Sequence, residues 1–500
     1  MVIWENCFRC YSDEPSVMNL FRTKSVAQLI AESEGHGGLR RELNAVNLVS
    51  LGIGSVIGAG IFVLSGVVAA NHAGPSLAIS FVISGLAAML AGLCYAEFAS
   101  MIPVAGSAYT YTYATMGELM AWIIGWDLML EYLFSGAAVA VSWSANAQGL
   151  LAEFGLALPD NLSKAPWILE HDHLVASGAL VNLPAVFISL ALTIVLVIGI
   201  RESARFNNLM VFTKVGVLLV LIGYGAWYLC RHSAVAAANL HPFIPKNTGE
   251  FGHYGWSGMF RGAAAIFFAY IGFDAVSTAA QESKNPQRDM PIGLLVSLAI
   301  CVVLFVGVTL VLTGMVHYTK LNVDAPFIYA LQAVGAPAGL RYAVEVASLA
   351  GLTSVILISL LGQPRIFFSM SGDGLLPASF CRLHPRYKTP YITTWITGVT
   401  CAVTAGLLPL DLLGELISVG TLMAFAVVCV GVIILRRTRP DLQRPFRTPW
   451  VPFVPVLGAL VCCGQAVLLP PGTWWRLIIW LGLGLLVYFT YSVRHSKQQN

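Results

Sequence analysis

Charged residues are scarce in this chain of 500 residues. Only 11% are Asp, Glu, Lys or Arg, whereas soluble domains carry about 25%, and 57% are apolar or aromatic, with a mean hydropathy of +0.75. A soluble globule of this size could not cover its surface with so few charges, so lipid is the solvent for most of the protein. This composition excludes a soluble enzyme, a nucleic-acid-binding protein and a disordered scaffold. The net charge of +3 is too small to indicate a polyanionic partner.

Signals for several other functions are also missing. The chain contains no HExxH, GxSxG or phosphate-loop motif, so we expect no enzymatic activity and no cofactor. The first 40 residues lack the basic-then-apolar order of a cleaved signal peptide. The ten cysteines include one Cys7-Phe-Arg-Cys10 pair without a second pair at zinc spacing, so we expect neither a disulfide framework nor a metal site. The pair could be lipidated or belong to a plain tail.

Apolar runs between charges and Pro/Gly clusters predict twelve membrane helices, each needing about 20 residues. The third run is longer than one crossing requires, and a short apolar segment at 325–334 is expected to cap the outer face. The predicted spans are residues 44–70, 76–98, 118–150, 182–200, 206–230, 256–278, 290–316, 342–368, 390–408, 411–435, 450–469 and 474–493.

The basic residues predict the orientation of these spans. With a cytoplasmic N-terminus, the inner segments hold most of the 28 Lys and Arg residues, as the positive-inside rule requires. The outer segments hold only Lys164, Arg231, Lys246, Arg261, Lys320, Arg341 and Arg476. The one remaining cation, Lys214, lies well inside the fifth span. A lysine there is costly in lipid and should face the interior with a partner, either carrying a coupling proton or holding helices together as a fixed charge.

Glycines interrupt the first span, at Gly52-Ile-Gly54-Ser-Val-Ile-Gly58-Ala-Gly60. They indicate either a broken helix that lines a cavity or close helix packing. The sixth span favours the first interpretation, because it also carries a glycine and an acid in mid-run, Gly272-Phe273-Asp274. Interrupted helices at matching positions of two halves point to a transporter's site, and an offset of five spans requires the halves to be inverted. Free amides and free carbonyls side by side suit a zwitterion such as an amino acid.

Rare acids accompany these interruptions. In the third span Asp127 and Glu131 share a helix face, and Glu131 is the better candidate to line the path or pair with a buried cation. Asp274 is expected to support the site by capping the second half of the sixth helix. Glu97 is expected at the inner boundary, among backbone amides.

Nine segments, in order, resemble the amino acid–polyamine–organocation superfamily, specifically its cationic amino acid transporter branch and the bacterial homologues of that branch. The resemblance extends over about residues 20–492. The segments are Gly52–Phe62, Gly92–Phe98, Pro103–Tyr109, Gly125–Tyr132, Phe268–Asp274, Lys284–Gly293, Asp373–Pro377, Gly420–Phe425 and Arg444–Pro449.

The resemblance implies an all-α membrane protein with two inverted five-helix repeats, two added helices, and discontinuous first and sixth helices. It implies that the amides of Gly58, Ala59 and Gly60 hold the substrate carboxylate, and that Phe273 gates the site. The carbonyls that would take the amine are around Ile57, Phe268, Ala269 and Ile271. Lys214 matches the lysine of proton-coupled members and argues against sodium. Leu352 would shorten the side-chain pocket, favouring small neutral over cationic side chains.

We therefore expect a proton-coupled importer of L-amino acids in the plasma (inner) membrane, working by alternating access, with both termini cytoplasmic. An amino acid exchanger is the alternative, and a non-transporting sensor or channel is a third. The resemblance leaves open whether a small membrane subunit associates. The expected units are a tail at 1–40, repeats at 41–230 and 231–435, two helices at 436–493, and a tail at 494–500.

Overall fold

A computed structural model describes most of the chain, and nearly all of the described part is helical. It covers residues 20–35, 43–104, 106–153, 155–156, 158–170, 173–198, 204–323, 325–382, 384 and 389–497. Cys7, Cys10 and most of the expected N-terminal tail lie outside the described residues.

The described residues form twenty α-helices. They are α1 Val26–Gly35, α2 Ala45–Val56, α3 Ser65–Val68, α4 Leu77–Met101, α5 Ser107–Thr115, α6 Glu118–Glu153, α7 Asp160–Ser163, α8 Leu183–Ile198, α9 Ala204–Arg231, α10 Ser233–Leu240, α11 Gly255–Ile266, α12 Ala275–Thr278, α13 Pro286–Met315, α14 Pro326–Ala333, α15 Ala338–Gly372, α16 Tyr391–Leu407, α17 Leu410–Thr438, α18 Phe453–Val467, α19 Pro471–Val487 and α20 Val493–His495.

Shorter helical turns join or extend these helices. The 3-10 turns are Gly74–Ser76, Phe267–Tyr270, Ala280–Glu282, Tyr318–Lys320 and Ala378–Cys381. The π-helical turns are Gly60–Leu64, Ala69–Ala73 and Tyr488–Ser492.

Eight helical stretches of the described residues are long and apolar enough to cross a membrane, which makes this a multi-pass membrane protein. Four shorter apolar helices, α2, α8, α16 and α18, lie where the sequence predicts the first, fourth, ninth and eleventh spans. The total of twelve crossings stays a prediction. Helix α6 has 36 residues, or about 54 Å at 1.5 Å per residue, which exceeds a bilayer core of about 30 Å.

Outside the helices, the described residues contain one β-hairpin and an isolated β-bridge between Leu43 and Ser283. Strands β1, Trp167–Glu170, and β2, His173–Ala176, pair as an antiparallel hairpin between α7 and α8. The sequence analysis expected an all-α protein and missed this hairpin, because two four-residue strands between membrane spans leave too short a pattern to detect. All eight cysteines in the described residues are free.

The helices pack around one large apolar core. Helix α13 lies against both α4 and α2, while α6 lies against α15 and α17. Small residues permit close approach: a Cβ on Gly293 of α13 would lie 2.7 Å from the Leu48 side chain of α2. This packing brings α2, α6, α12 and α15 together around the residues considered next.

Candidate functional site

Regular α-helix stops at Val56 in the first predicted span. Helix α2 begins after Asn44, whose side-chain oxygen accepts a hydrogen bond from the amide of Asn47 in the first turn (3.0 Å). Ile57 is extended, with φ −76° and ψ 94°, and a π-helical turn begins at Gly60. Amides in the first turn of a helix have no acceptor within that helix. Residues 58–60 are therefore placed to present N–H groups at this interruption.

The sixth predicted span is interrupted between α11 and α12. A 3-10 turn, Phe267–Tyr270, and four further residues separate the two helices. Within them Gly272 has a φ of +109°, a conformation that other L-residues rarely adopt. A Cβ there would also lie 3.0 Å from the Ser55 carbonyl oxygen. Only glycine satisfies both constraints without strain.

The two interruptions lie against each other. The Ser55 hydroxyl donates a hydrogen bond to the Gly272 carbonyl oxygen (2.8 Å). A Cβ on Gly60 would lie 2.3 Å from the Cα of Ala269, so the two backbones are in direct contact there. The structure thus places the predicted amides of the first span beside the predicted carbonyls of the sixth.

Lys214 of α9 binds the end of α2. Its side chain is buried, and Nζ donates to the carbonyl oxygens of Gly54 (2.8 Å) and Ile57 (3.2 Å). Carbonyls at a helix C-terminus lack intrahelical donors and carry partial negative charge. Gly351 of α15 leaves room for the lysine, because a Cβ there would lie 3.1 Å from Lys214 Cε. Lys214 therefore binds a carbonyl, that of Ile57, which the resemblance assigned to the substrate amine.

Three carboxyls are buried nearby: Asp127 and Asp274 are 0% exposed, and Glu131 is 2% exposed. Asp274 stands at the N-cap position of α12, but its side chain makes no capping hydrogen bond. Instead its Oδ2 accepts hydrogen bonds from the hydroxyls of Tyr132 (3.2 Å) and Ser107 (3.4 Å). Asp274 thus links α6 and α5 to the sixth span, in place of the expected cap.

A small cavity lies beside Glu131. Its volume of about 20 Å³ has room for about one water molecule, whereas sites for small molecules span roughly 300–1,000 Å³. This conformation therefore encloses the space without leaving room for an amino acid. The cavity is lined by Ser55, Glu131, Tyr132, Ser135, Ile271, Gly272, Ala275, Val355, Ile358 and Ser359.

The predicted site residues are all buried, but they do not all face this cavity. Glu131 and Ile271 line it. Phe273 and Leu352 do not, although both are 0% exposed. The Phe273 ring packs edge-on against rings of α4 and α17, with centroids 5.6 and 4.9 Å apart. Gating by Phe273 and pocket shortening by Leu352 stay predictions.

Sequence reasoning missed the hydroxyl groups of the cavity wall. Ser135 stands one helical turn after Glu131, and Tyr132 is its neighbour in sequence. Ser55 lies within the glycine-rich stretch itself. A polar side chain within an apolar run, one helical turn from a suspected acid, was the signal available for Ser135.

The comparisons with known proteins agree with this architecture. The family model of amino acid permeases matches residues 43–489. The chain is 46% identical over 480 residues to the methylthioribose transporter of Bacillus subtilis (strain 168), covering 96% of this chain and 99% of that protein. It is 45% identical over 482 residues to the branched-chain amino acid permease BcaP of the same organism, with coverage of 96% and 99%. It is 39% identical over 427 residues to the vacuolar cationic amino acid transporter 4 of Arabidopsis thaliana, with coverage of 85% and 68%.

These matches and the helical architecture define the class as multi-pass membrane permeases. The chain belongs to the amino acid permease family, within the amino acid–polyamine–organocation superfamily. The relatives just described are named as transporters and permeases rather than enzymes.

Proposed function

We propose that this chain imports L-amino acids across the plasma membrane by proton symport and alternating access, without enzymatic activity. The observation that carries the proposal is the bonding of Lys214 to Gly54 and Ile57, beside the contact between the two interruptions. A titratable side chain then holds the same short segment that would bind the substrate. Gain or loss of its proton changes how strongly it holds those carbonyls, and this links protonation to substrate binding.

The substrate would lie between the two interruptions. Its carboxylate would meet the amides of residues 58–60, and its ammonium group would meet the carbonyls of residues 268–271. Because the enclosed cavity is so small in this conformation, the first and sixth spans must separate to admit substrate. They would therefore act as the gates.

The membrane arrangement belongs to the same proposal. Twelve spans, with inverted repeats at 41–230 and 231–435, would leave both termini in the cytoplasm. The excess of Lys and Arg in the expected inner segments supports this orientation.

Coupling is tested with purified protein in proteoliposomes. We expect an inward proton gradient to accelerate uptake of radiolabelled L-alanine. Uptake that is indifferent to both pH and membrane potential would contradict symport, and trans-stimulation by internal amino acid would indicate an exchanger. Ligand binding without flux, or current without amino acid, would indicate a sensor or channel.

Replacing Lys214 with Met tests the residue itself. Methionine is similar in length to lysine, so we expect the packing around position 214 to be kept while proton-driven uptake is lost, since both carbonyls lose their donor. The matched control is Thr213→Ala, on the exposed side of the same helix, which should transport like wild type. Proton-driven uptake by Lys214→Met at the wild-type rate would refute the role of this lysine.

The substrate's side chain is tested by competition. Unlabelled L-alanine, L-leucine and L-arginine should each be tried against labelled L-alanine, since relatives are named for branched-chain and cationic amino acids. We expect small neutral amino acids to compete best, because Leu352 would shorten the pocket. Methylthioribose belongs in the panel, because the 46% identical relative is named for that sugar thioether. Uptake of labelled methylthioribose without uptake of labelled L-alanine would replace the amino acid proposal.

A further inference from the structure

The mechanism proposed above leaves two buried carboxyls unused. Glu131 of α6 and Asp274, at the start of α12, each have one buried oxygen without a hydrogen-bond partner in the described part of the chain, namely Glu131 Oε2 and Asp274 Oδ1. The two carboxyls are close neighbours: Glu131 lines the cavity, as do Gly272 and Ala275 on either side of Asp274, and Tyr132, next to Glu131, donates its hydroxyl to Asp274 Oδ2 (3.2 Å). Two carboxylates this close and out of water repel strongly, so the pair is stable when one member holds a proton.

The surroundings assign that proton to Glu131. Asp274 already accepts hydrogen bonds from Tyr132 and Ser107, and such bonds stabilise the ionised form. Glu131 is the member that borders the cavity, so its proton has a route out of the pair.

No cation lies within ion-pair distance of the pair in the described residues. The nearest charged side chain of α15, Arg365, is bonded to Glu282 (3.2 Å). A proton is therefore the counter-charge available. The titratable and charged groups that face the pair are Asp127 and Tyr132 of α6, Tyr95 of α4, Tyr111 of α5 and Arg365 of α15.

We propose that Glu131 binds a transported proton in the enclosed conformation, where protonation removes its repulsion with Asp274, and releases it to water through the cavity when that space opens. The O–H bond of Glu131 breaks, the proton leaves with water, and the Glu131 carboxylate remains. Ser55 lines the cavity and donates to the Gly272 carbonyl. In sequence it stands between Gly54 and Ile57, whose carbonyls Lys214 binds. The first interruption thus stands between two proton-binding groups. This inference rests on the proposed proton coupling.

Infrared spectroscopy of the purified full chain tests where the proton is, without any substrate. We expect a carboxylic acid C=O band that disappears as pH is raised. We expect Glu131→Gln to remove the Glu131 part of this band and to leave any part that comes from Asp127, the other buried carboxyl without a partner in the described residues. The matched control is Glu282→Gln, which removes a carboxylate already paired with Arg365 and should leave the band unchanged. A full band in Glu131→Gln would overturn the proposal.

A transport measurement distinguishes this proposal from the proposed function. Proton entry during L-alanine uptake is followed with a pH-sensitive dye inside proteoliposomes. Glu131→Asp, which keeps a carboxyl, should move the pH dependence of proton entry, and an unmoved profile would overturn the role of Glu131. Should Glu131→Gln fail to fold, Glu131→Asp gives both readouts, since its acid band should then titrate at a different pH. Absence of proton entry in wild type would contradict the proposed proton coupling. The infrared band would still show whether Glu131 is protonated.

Discussion

The interruptions of the first and sixth spans are held by different chemistry. At the first, the carbonyls of Gly54 and Ile57 accept hydrogen bonds from a lysine on another helix. At the sixth, the bonds to neighbouring backbone come from neutral hydroxyls: Ser55 donates to the Gly272 carbonyl, and the Tyr270 hydroxyl donates to the Phe81 carbonyl (2.8 Å). Because only the lysine can change its charge, the proposed coupling would act directly on the backbone of the first interruption.

The contact between the two interruptions is where this difference matters. A change in how Lys214 holds the first segment reaches the sixth through the Ser55 bond and the touching backbones at Gly60 and Ala269. Under the proposed coupling, the sixth interruption would respond to the first rather than act independently. Substitutions at the contact should therefore cost more than substitutions that loosen either segment from the rest of the protein.

The largest effect is expected from Gly60→Ala. The added Cβ would lie 2.3 Å from the Ala269 Cα, and because a backbone atom cannot rotate away, the two segments must move apart. Overpacking of this kind costs about 1–3 kcal/mol, and here it also displaces the proposed amides. We expect L-alanine uptake in proteoliposomes to fall at least tenfold.

Gly216→Ala is the control for that substitution. Gly216 lies in α9, half a turn from Lys214, and a Cβ there would have nothing within 4 Å. Since alanine is favoured over glycine in a helix by about 1 kcal/mol, this variant should be at least as stable as wild type and transport normally. Equal uptake by Gly60→Ala and Gly216→Ala would show that the contact between the interruptions is not required.

An intermediate effect is expected from Ser55→Ala. The substitution removes the side-chain hydrogen bond from the first segment to the Gly272 carbonyl of the sixth, at a net cost of about 0.5–1.5 kcal/mol. We expect L-alanine uptake to fall several-fold while the protein remains folded. Ser65→Ala is the matched control, because the Ser65 hydroxyl bonds to Ile61 within its own segment. A loss in Ser65→Ala as large as that in Ser55→Ala would attribute the effect to segment stability instead.

Hydropathy and glycine pattern carried enough information to locate the helices. Helices lie at every predicted span, and the short segment expected at 325–334 is helix α14, Pro326–Ala333. Apolar length and the glycines at 58, 60 and 272 are local properties, so they can be read in one sequence. The position of Lys214 is likewise local, because a cation inside an apolar run is conspicuous.

Contacts between distant residues could not be predicted in this way. Glu97 was expected among backbone amides, and it does accept a hydrogen bond from the Thr448 amide (2.8 Å). Its ion pair with Arg436 (2.6 Å) joins residues 339 positions apart, and no spacing rule links them. The size of the cavity and the proximity of Glu131 to Asp274 also depend on how helices from separate parts of the chain pack.

The smallest effect is expected from Tyr270→Phe, which loosens the sixth interruption from α4 without touching the first. The lost hydroxyl bonds to the Phe81 carbonyl, and since that carbonyl lies within helix α4, it can still accept a bond inside the helix. The cost should stay near the lower end of about 0.5–1.5 kcal/mol, seen as a small drop in thermal-unfolding midpoint with L-alanine uptake close to wild type. Tyr228→Phe, whose hydroxyl makes no hydrogen bond within the described residues, should leave the midpoint unchanged. A Tyr270→Phe variant that lost uptake as completely as Gly60→Ala would contradict this. It would mean that the contact with α4 determines the conformation of the sixth interruption as much as the contact with the first span does.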